Sequence, residues 1–421
     1  MRLFFSVGEP SGDQHAAELI RALRSRDPEI VTEGYGGPRM AEAGCRLHED
    51  LTERAIMWFR RALGGLSYYV GLYRRAVDHF RRNRPDGVVL VDYPGFNWWM
   101  AKAAHREGIP VFYFVPPQIR AWGCGRVKKM RRYVDHVLCC LPFEQPWFAE
   151  RGCRAVYVGH PFFDEAARSN DVTGQEHAAG SLRCEGRPLV VLLPGSRDQE
   201  VDANIGDMLQ TALKVAAKVE DVRFAVAAFK PSQAERIEAR TRSLPISIDV
   251  YSGRTPELIR AADCCLAVSG SVSLELLYHE KPTIILYRIS RPAFWVQERF
   301  RKVKYITLVN LLAANELYPD DLRLYERGRP DCAEAVFPEY LTWRDRSDAM
   351  AEQLAEWLLD PESKAATIER LRALKARLDW HGAAGRAAEY ILEHATIGDS
   401  SPGSGKPHFV LEGRTNAVRR T

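Results

Sequence analysis

No apolar run in this 421-residue chain approaches the length of a membrane span. The longest, such as PVFYFVPP (110–117), stay under ten residues, whereas a helix crossing the hydrocarbon core takes about 20. The start, MRLFFSVGEPSGD, has no cleavage-site pattern and carries Glu9 and Asp13, so it reads as a first β-strand and not as a signal peptide. Nine cysteines are scattered from 45 to 332 without a CxxC. A chain of this length needs no disulfide staples, and reduced, mostly buried thiols in a cytosolic protein are expected. Neither sign of charge dominates. Lys and Arg number 59 against 55 acids, a net +4, which gives no case for a nucleic-acid partner by itself. Hydrophobic residues at 46% and charged residues at 27% exclude a disordered or fibrous chain.

What the chain does have is alternation. Short aliphatic runs at 3–7, 31–36, 87–91, 111–115, 136–141 and 155–159 are separated by helical periodicity, and the pattern restarts at 189–193, 223–228, 246–250, 264–269 and 283–287. Runs apolar at nearly every position suit parallel strands buried on both faces. Two successive βαβ arrays predict an α/β protein of two Rossmann-like domains facing a cleft, with ligands at the carboxyl ends of the strands. The expected boundaries are 1–166 for the first domain, 167–188 for a linker region, 189–345 for the second domain, and 346–397 for C-terminal helices. The remainder, 398–421, rich in Gly, Ser and Pro, reads as a disordered tail.

Four strand ends carry candidate chemistry. In PGSR (194–197), Gly195 permits a tight turn, Ser196 stands where it could cap the next helix with Gln199 at the capping-box spacing, and Arg197 could hold a diphosphate beside the helix start. The alternative is an ordinary strand–turn–helix junction. SGSVSLE (269–275) repeats the logic. Gly270 lets the backbone approach a ligand, Ser271 or Ser273 begins a helix, and Glu275, one turn in, could accept both hydroxyls of a ribose or merely favour the helix dipole. Two such junctions in one domain favour a nucleotide site. GEPSGD (8–13) closes the first strand of the other domain, with Gly8 and Gly12 free in backbone angle and Ser11 placed to cap a helix with Gln14. It lacks the GxGxxG spacing, and Glu9 and Asp13 suit a polar, uncharged ligand better than a diphosphate. In VDYPGFN (91–97), Asp92 lies at a strand's carboxyl end, where it either caps a turn or serves as a general base, and Asn97 could cap the following helix. His160 in VGHP (158–161) is a second polar candidate.

Residues 54–84 carry eight arginines against one acid, Asp78, and apolar residues at 56, 59, 63, 66, 70, 73, 77 and 80. That spacing marks an amphipathic helix, with Met57, Trp58, Tyr68, Tyr69 and Leu72 off the stripe. It is either a core-packed helix with a solvated arginine face or a contact with anionic lipid. The runs RVKKMRR (126–132) and RFRKVK (299–304) add positive surface.

In order along the chain stand GEPSGD (8–13), GGPRM (36–40), DYPGFN (92–97), FVPPQIRAWGCGR (114–126), LPFE (141–144), VGHP (158–161), LLPGSRDQEV (192–201), SGSVSLE (269–275), YITLVNLLA (305–313) and FPEYL (337–341). Their order and spacing resemble lipid-A-disaccharide synthase, an inverting B-type glycosyltransferase family. The resemblance implies transfer from UDP-2,3-diacylglucosamine to 2,3-diacylglucosamine 1-phosphate, giving a β-1,6-linked disaccharide phosphate and UDP, with no metal and no cofactor. It implies Asp92 as the base. The donor UDP-sugar would lie on Ser196, Arg197, Gly270, Ser271, Glu275 and Asn310, and the acceptor near Gly8, Glu9, Ser11, Gly12 and His160. Membrane or acyl contact would fall at Met57, Trp58, Arg60 and Arg61. A cytoplasmic protein, peripheral on the anionic inner-membrane surface and without a nucleic-acid partner, is expected, and a homo-oligomer is left open. The chain departs from the family pattern at Pro10, Arg120, Val309 and Thr342 and in an insertion around 316–335. Two other readings stand beside this one. A different two-domain UDP-sugar enzyme, a transferase or non-hydrolysing epimerase, would need no acyl surface. A catalytically silent nucleotide-sugar binder would not need Asp92.

Overall fold

Strand β1 (Arg2–Val7), with five of its six residues buried, starts the first of two all-parallel sheets. The computed structural model describes residues 1–52, 65–117, 126–170, 180, 182, 186–378 and 382–395. Around β1 assemble β2 (Val31–Gly36), β3 (Arg46–Asp50), β4 (Gly87–Val91), β5 (Val111–Phe114), β6 (His136–Cys139) and β7 (Ala155–Tyr157), in the order β3-β2-β1-β4-β5-β6-β7. The second sheet takes β8 (Leu189–Leu193), β9 (Arg223–Ala228), β10 (Ile248–Ser252), β11 (Cys264–Val268), β12 (Thr283–Arg288) and β13 (Glu339–Thr342) in the order β10-β9-β8-β11-β12-β13. Every residue of β4, β8 and β11 is buried, as central strands covered on both faces require.

Strand order reverses between β1 and β4 in the first sheet and between β8 and β11 in the second. A crevice opens at such a switch point, because the connections leave to opposite faces. All four strand-end motifs follow these four strands.

Two strands escape the sequence reading. Strand β3 (RLHED) is polar and lies at the sheet edge, so it lacks the apolar run that marks a central strand. Strand β13 (EYLT) is four residues long, although fully buried. Strand β10 is displaced by two residues from 246–250. The C-terminal helices divide between the sheets. Helices Ser347–Leu359 and Pro361–Ala376 pack Met350, Leu354, Leu371 and Leu374 onto the second. Helix Ala383–His394 returns to the first, where Ala387, Ala388 and Ile391 join Leu3, Phe5 and Val89. Asp164 fixes that return by accepting from Gly382 N and Ala384 N at 2.6 and 2.9 Å.

Helix Gly65–Arg82 buries Leu72, Ala76 and Phe80 against the first sheet. Leu72, read as off the apolar stripe, is therefore at its centre. Arg75 and Arg81 pair with Glu49 and Glu107 at 2.9 Å each, so this part of the basic segment is a core-packed helix with an arginine face. Residues 53–64, and the tail expected beyond 397, lie outside the described residues. Helix Phe162–Asn170 runs into the segment read as a linker. No helix among the described residues is long and apolar enough to cross a membrane.

Candidate active site at the facing switch points

Asp92 follows β4 in an unusual backbone. It and Tyr93 both adopt left-handed φ, 44° and 47°, a conformation that costs of order 1–3 kcal/mol per non-glycine residue and persists only where the surroundings enforce it. Here they do. The Asp92 carbonyl accepts from Asn97 Nδ2 at 2.7 Å and from the Tyr113 hydroxyl at 2.8 Å. Asn97 is wholly buried. Its Nδ2 also reaches Ser6 O and Val91 O, each at 3.2 Å, and its Oδ1 accepts from Ser6 Oγ at 2.7 Å. Asn97 is thus not the helix cap expected from sequence. It lies inside helix Pro94–Arg106 and ties the ends of β1 and β4 together.

GEPSGD wraps the same corner. Helix Pro10–Arg26 starts with Glu9 as its N-cap and Pro10 in the first position, so Ser11 is an exposed first-turn residue and not a cap. Gly8 is obligatory, since a Cβ there would lie 2.3 Å from the Tyr93 ring. Gly12 is buried with Val7 and Asp92 against it. Asp13 turns away from the cleft and accepts from Gly37 N, Arg39 N and Met40 N at 2.9–3.1 Å. Those amides are the open start of helix Pro38–Glu42, so GEPSGD and GGPRM interlock. His160 packs edge-on to His15, ring centroids 5.7 Å apart, and its Nδ1 accepts from Phe162 N at 3.2 Å. Burial, then the neighbouring His15, lowers its pKa to about 3, so it is a neutral imidazole. His15, which the sequence reading passed over, pairs with Glu165 at 2.8 Å.

On the other sheet, the cap register moves by one residue. Arg197, not Ser196, is the N-cap of helix Asp198–Ala216, and Glu200, not Gln199, stands at the third position and accepts from Arg197 N at 3.3 Å. Gly195, at φ 117°, leaves no room for a side chain: a Cβ would meet Glu200 at 2.8 Å. Ser196 is exposed, and its carbonyl accepts from Gln233 Nε2 at 3.0 Å. Fully buried Gln233 also accepts from Phe229 N and donates to Asp198 Oδ1. It joins this loop to the one after β9, a role with no sequence signal. Gly270 is exposed and open beyond its Cα. Ser271 precedes helix Val272–Tyr278 without a side-chain cap, while buried Ser273 donates to Gly270 O at 2.7 Å. Burial raises the Glu275 pKa to about 7, against the pull of Arg260.

The Asn310 side chain is turned into the domain. It is fully buried. Nδ2 donates to Phe337 O (2.7 Å) and Glu339 Oε2 (2.9 Å), and Oδ1 accepts from Val336 N and Phe337 N (3.0 Å each). Two donors and two acceptor sites exhaust a carboxamide, so the Asn310 side chain is fully engaged inside the domain. Glu339 in turn accepts from Ile306 N and Thr307 N at 2.8 and 3.1 Å.

The two switch points communicate by charge. Burial raises the pKa of Asp92, opposed by the Tyr93 N–H, His15 and Arg197. Burial also raises that of Glu9, with Asp92 adding to the rise and Arg197 opposing it. Arg197, two-thirds exposed, therefore lies on the second sheet's side and acts on two acids of the first. Met57, Trp58, Arg60 and Arg61 fall outside the described residues.

A family model for Lipid-A-disaccharide synthetase matches residues 3–331. The Lipid-A-disaccharide synthase of Myxococcus xanthus is 32% identical over 392 residues, 93% of this chain and 97% of that protein. That of Alkalilimnicola ehrlichii is 32% identical over 397 residues, 94% of this chain and 99% of that protein. Among solved structures, a UDP-GlcNAc 2-epimerase from Neisseria meningitidis bound to UDP-GlcNAc aligns with TM-score 0.57 at 11% identity, covering 94% of this chain and 99% of that one. One from Methanocaldococcus jannaschii aligns with TM-score 0.54 at 13% identity, covering 93% and 99%. These two share the fold of paired Rossmann-like domains. On the family match and the full-length relatives, the chain belongs to the lipid-A-disaccharide synthetase family.

Proposed function

We propose that the protein transfers the sugar of UDP-2,3-diacylglucosamine to the 6-hydroxyl of 2,3-diacylglucosamine 1-phosphate, forming the β-1,6 disaccharide phosphate and UDP. The observation that carries this reading is Asp92. It is a carboxylate at a switch-point strand end, held in a strained turn by Asn97 and Tyr113 and made more basic by burial. In one inverting displacement, the acceptor oxygen bonds to the donor's anomeric carbon and the bond from that carbon to the diphosphate oxygen breaks. The acceptor proton passes to Asp92, and UDP leaves with the bonding pair. Arg197 and the start of helix Asp198–Ala216 face the developing diphosphate charge.

Unit 189–345 would hold the donor through Ser196, Arg197, Gly270 and Ser271, with Glu275 on the ribose. Asn310 acts behind this surface as a positioning residue for 336–339. Unit 1–166 would hold the acceptor at Gly8, Glu9, Ser11, Gly12 and His160. The basic, aromatic stretch around Met57, Trp58, Arg60 and Arg61 would meet an anionic membrane surface, making the protein peripheral on the inner membrane from the cytoplasmic side. Mass spectrometry of products from purified protein and both lipid substrates tests the reaction. The expected result is the disaccharide phosphate with stoichiometric UDP. A donor epimer without coupling, or equal turnover of a donor lacking acyl chains, rejects it.

A further inference from the structure

On the first sheet, at the edge where β3 lies, three side chains from three elements converge. Glu33 of β2 is buried, 3% exposed. Its Oε2 lies 3.2 Å from His48 Nε2 of β3, and its Oε1 lies 2.9 Å from His79 Nε2 of helix Gly65–Arg82. The two imidazole rings are 4.9 Å apart, and Phe4 of β1 forms an apolar floor at 6.0 Å from one and 5.6 Å from the other. One nitrogen from each histidine and one carboxylate oxygen all fall within 4.8 Å of one another.

We propose that Glu33, His48 and His79 bind a single zinc-class transition-metal ion that clips the edge strand to its neighbour and to helix Gly65–Arg82. Bonds of about 2.0–2.1 Å in tetrahedral geometry put ligand atoms about 3.3 Å apart. His48 Nε2 lies 3.2 Å from Glu33 Oε2 and His79 Nε2 lies 2.9 Å from Glu33 Oε1, so each nitrogen is near that spacing from one oxygen of the same carboxylate, and one ion would sit between the carboxylate and the two rings. Two imidazoles and one carboxylate suit borderline metals and not Mg²⁺ or Ca²⁺, which take oxygen ligands. The backbone supplies a second, independent observation. Gly34 pairs with Leu47 and Tyr35 with Glu49, so His48 is the extra residue of a bulge, a device that re-aims a side chain at sheet edges and beside sites. Arg2 Nη1, 3.6 Å from Glu33 Oε1, is the outer partner that a ligating carboxylate commonly keeps. His48, the most exposed of the three, opens the site to the ion and to a water as fourth ligand. The same nitrogens now face the carboxylate at hydrogen-bond distance, so the ion would take the place of those two hydrogen bonds.

Calorimetry of the full chain, stripped with chelator and titrated with Zn²⁺ alone, tests this, alongside thermal unfolding with and without the ion. The expected result is one equivalent bound, a higher Tm with Zn²⁺, no such change with Mg²⁺, and binding weakened by at least roughly 100-fold in Glu33→Gln and His79→Gln, as loss of a ligand exceeds the effect of losing an outer partner. His48→Gln, at an exposed edge position, supplies the same test should the buried substitutions fail to fold. Failure to bind one equivalent, or equal affinity in His48→Gln and the unaltered chain, overturns the proposal. The readout is independent of UDP binding and turnover, so its failure is separable from failure of the transferase reading.

Discussion

Replacing Glu275 with glutamine should strengthen the free protein while weakening its hold on UDP. The folded pKa of about 7 stands above an ordinary value of 4.5, and burial is the main cause. Between those values the native state keeps a proton that the unfolded chain releases. The stability associated with that proton is complete below about pH 4.5, declines as pH rises, and is gone above about pH 7. At about 1.36 kcal/mol per unit, holding the carboxylate ionised costs at most about 3 kcal/mol. Discounting for its partly open side chain, Glu275→Gln should recover about 1–3 kcal/mol at pH 8 and nothing near pH 4.5. Urea unfolding of both proteins across that range measures the difference. If Glu275 accepts ribose hydroxyls, losing a charged acceptor costs about 1.5–3 kcal/mol, or roughly 10–100-fold in UDP affinity. The phosphate's own titration cancels between the two proteins. A stability difference flat with pH would refute the electrostatic reading, and an unchanged UDP affinity would remove Glu275 from the donor site.

Asn310→Ala leaves Val336 N, Phe337 N and Phe337 O without the partners they now have. It should lower Tm sharply, at about 1–3 kcal/mol per stranded group, while UDP affinity of the folded fraction stays within a few-fold. A stable variant that has lost UDP would instead return Asn310 to direct contact. Asp13→Asn should destabilise by about 1–3 kcal/mol, because an amide nitrogen would oppose one of three N–H donors. UDP calorimetry should be unaffected, and a selective loss of UDP binding would contradict the structural role.

Central strands were the most legible part of the fold. GVVLV and CCLAV, apolar at every position, fall where they should, and the residues after them, Asp92 and Ser269–Glu275, locate the two switch points. Edge strand RLHED was illegible because solvent on one side removes the apolar run that signals a strand. Caps failed by one residue at Ser196 and by two at Ser11. Ser11 and Ser196 have the right chemistry, yet Pro10 fixes the start of one helix and Glu200 folds back on Arg197 N to set the other. Asn97, Gln233, Glu339 and Asn310 hold the site from beneath, and most of their partners are distant in sequence, up to 91 residues away. Such pairings follow from the folded topology and have no local pattern. Glu33, His48 and His79, drawn from three elements, were invisible for the same reason.

Single-turnover measurement on Asp92→Asn tests the central assignment most directly. Asparagine is nearly isosteric, the Asn97 and Tyr113 bonds that hold the turn run to the Asp92 carbonyl, and an asparagine oxygen can still accept from the Tyr93 N–H, so Tm and UDP affinity should survive. General-base help is typically worth about 10²–10⁴-fold, and the rate should fall by that much. In the unaltered enzyme the rate should decline on the acid side at a pH above the ordinary aspartate range, because burial raises the Asp92 pKa. Near-normal turnover in a well-folded Asp92→Asn protein would contradict the assignment.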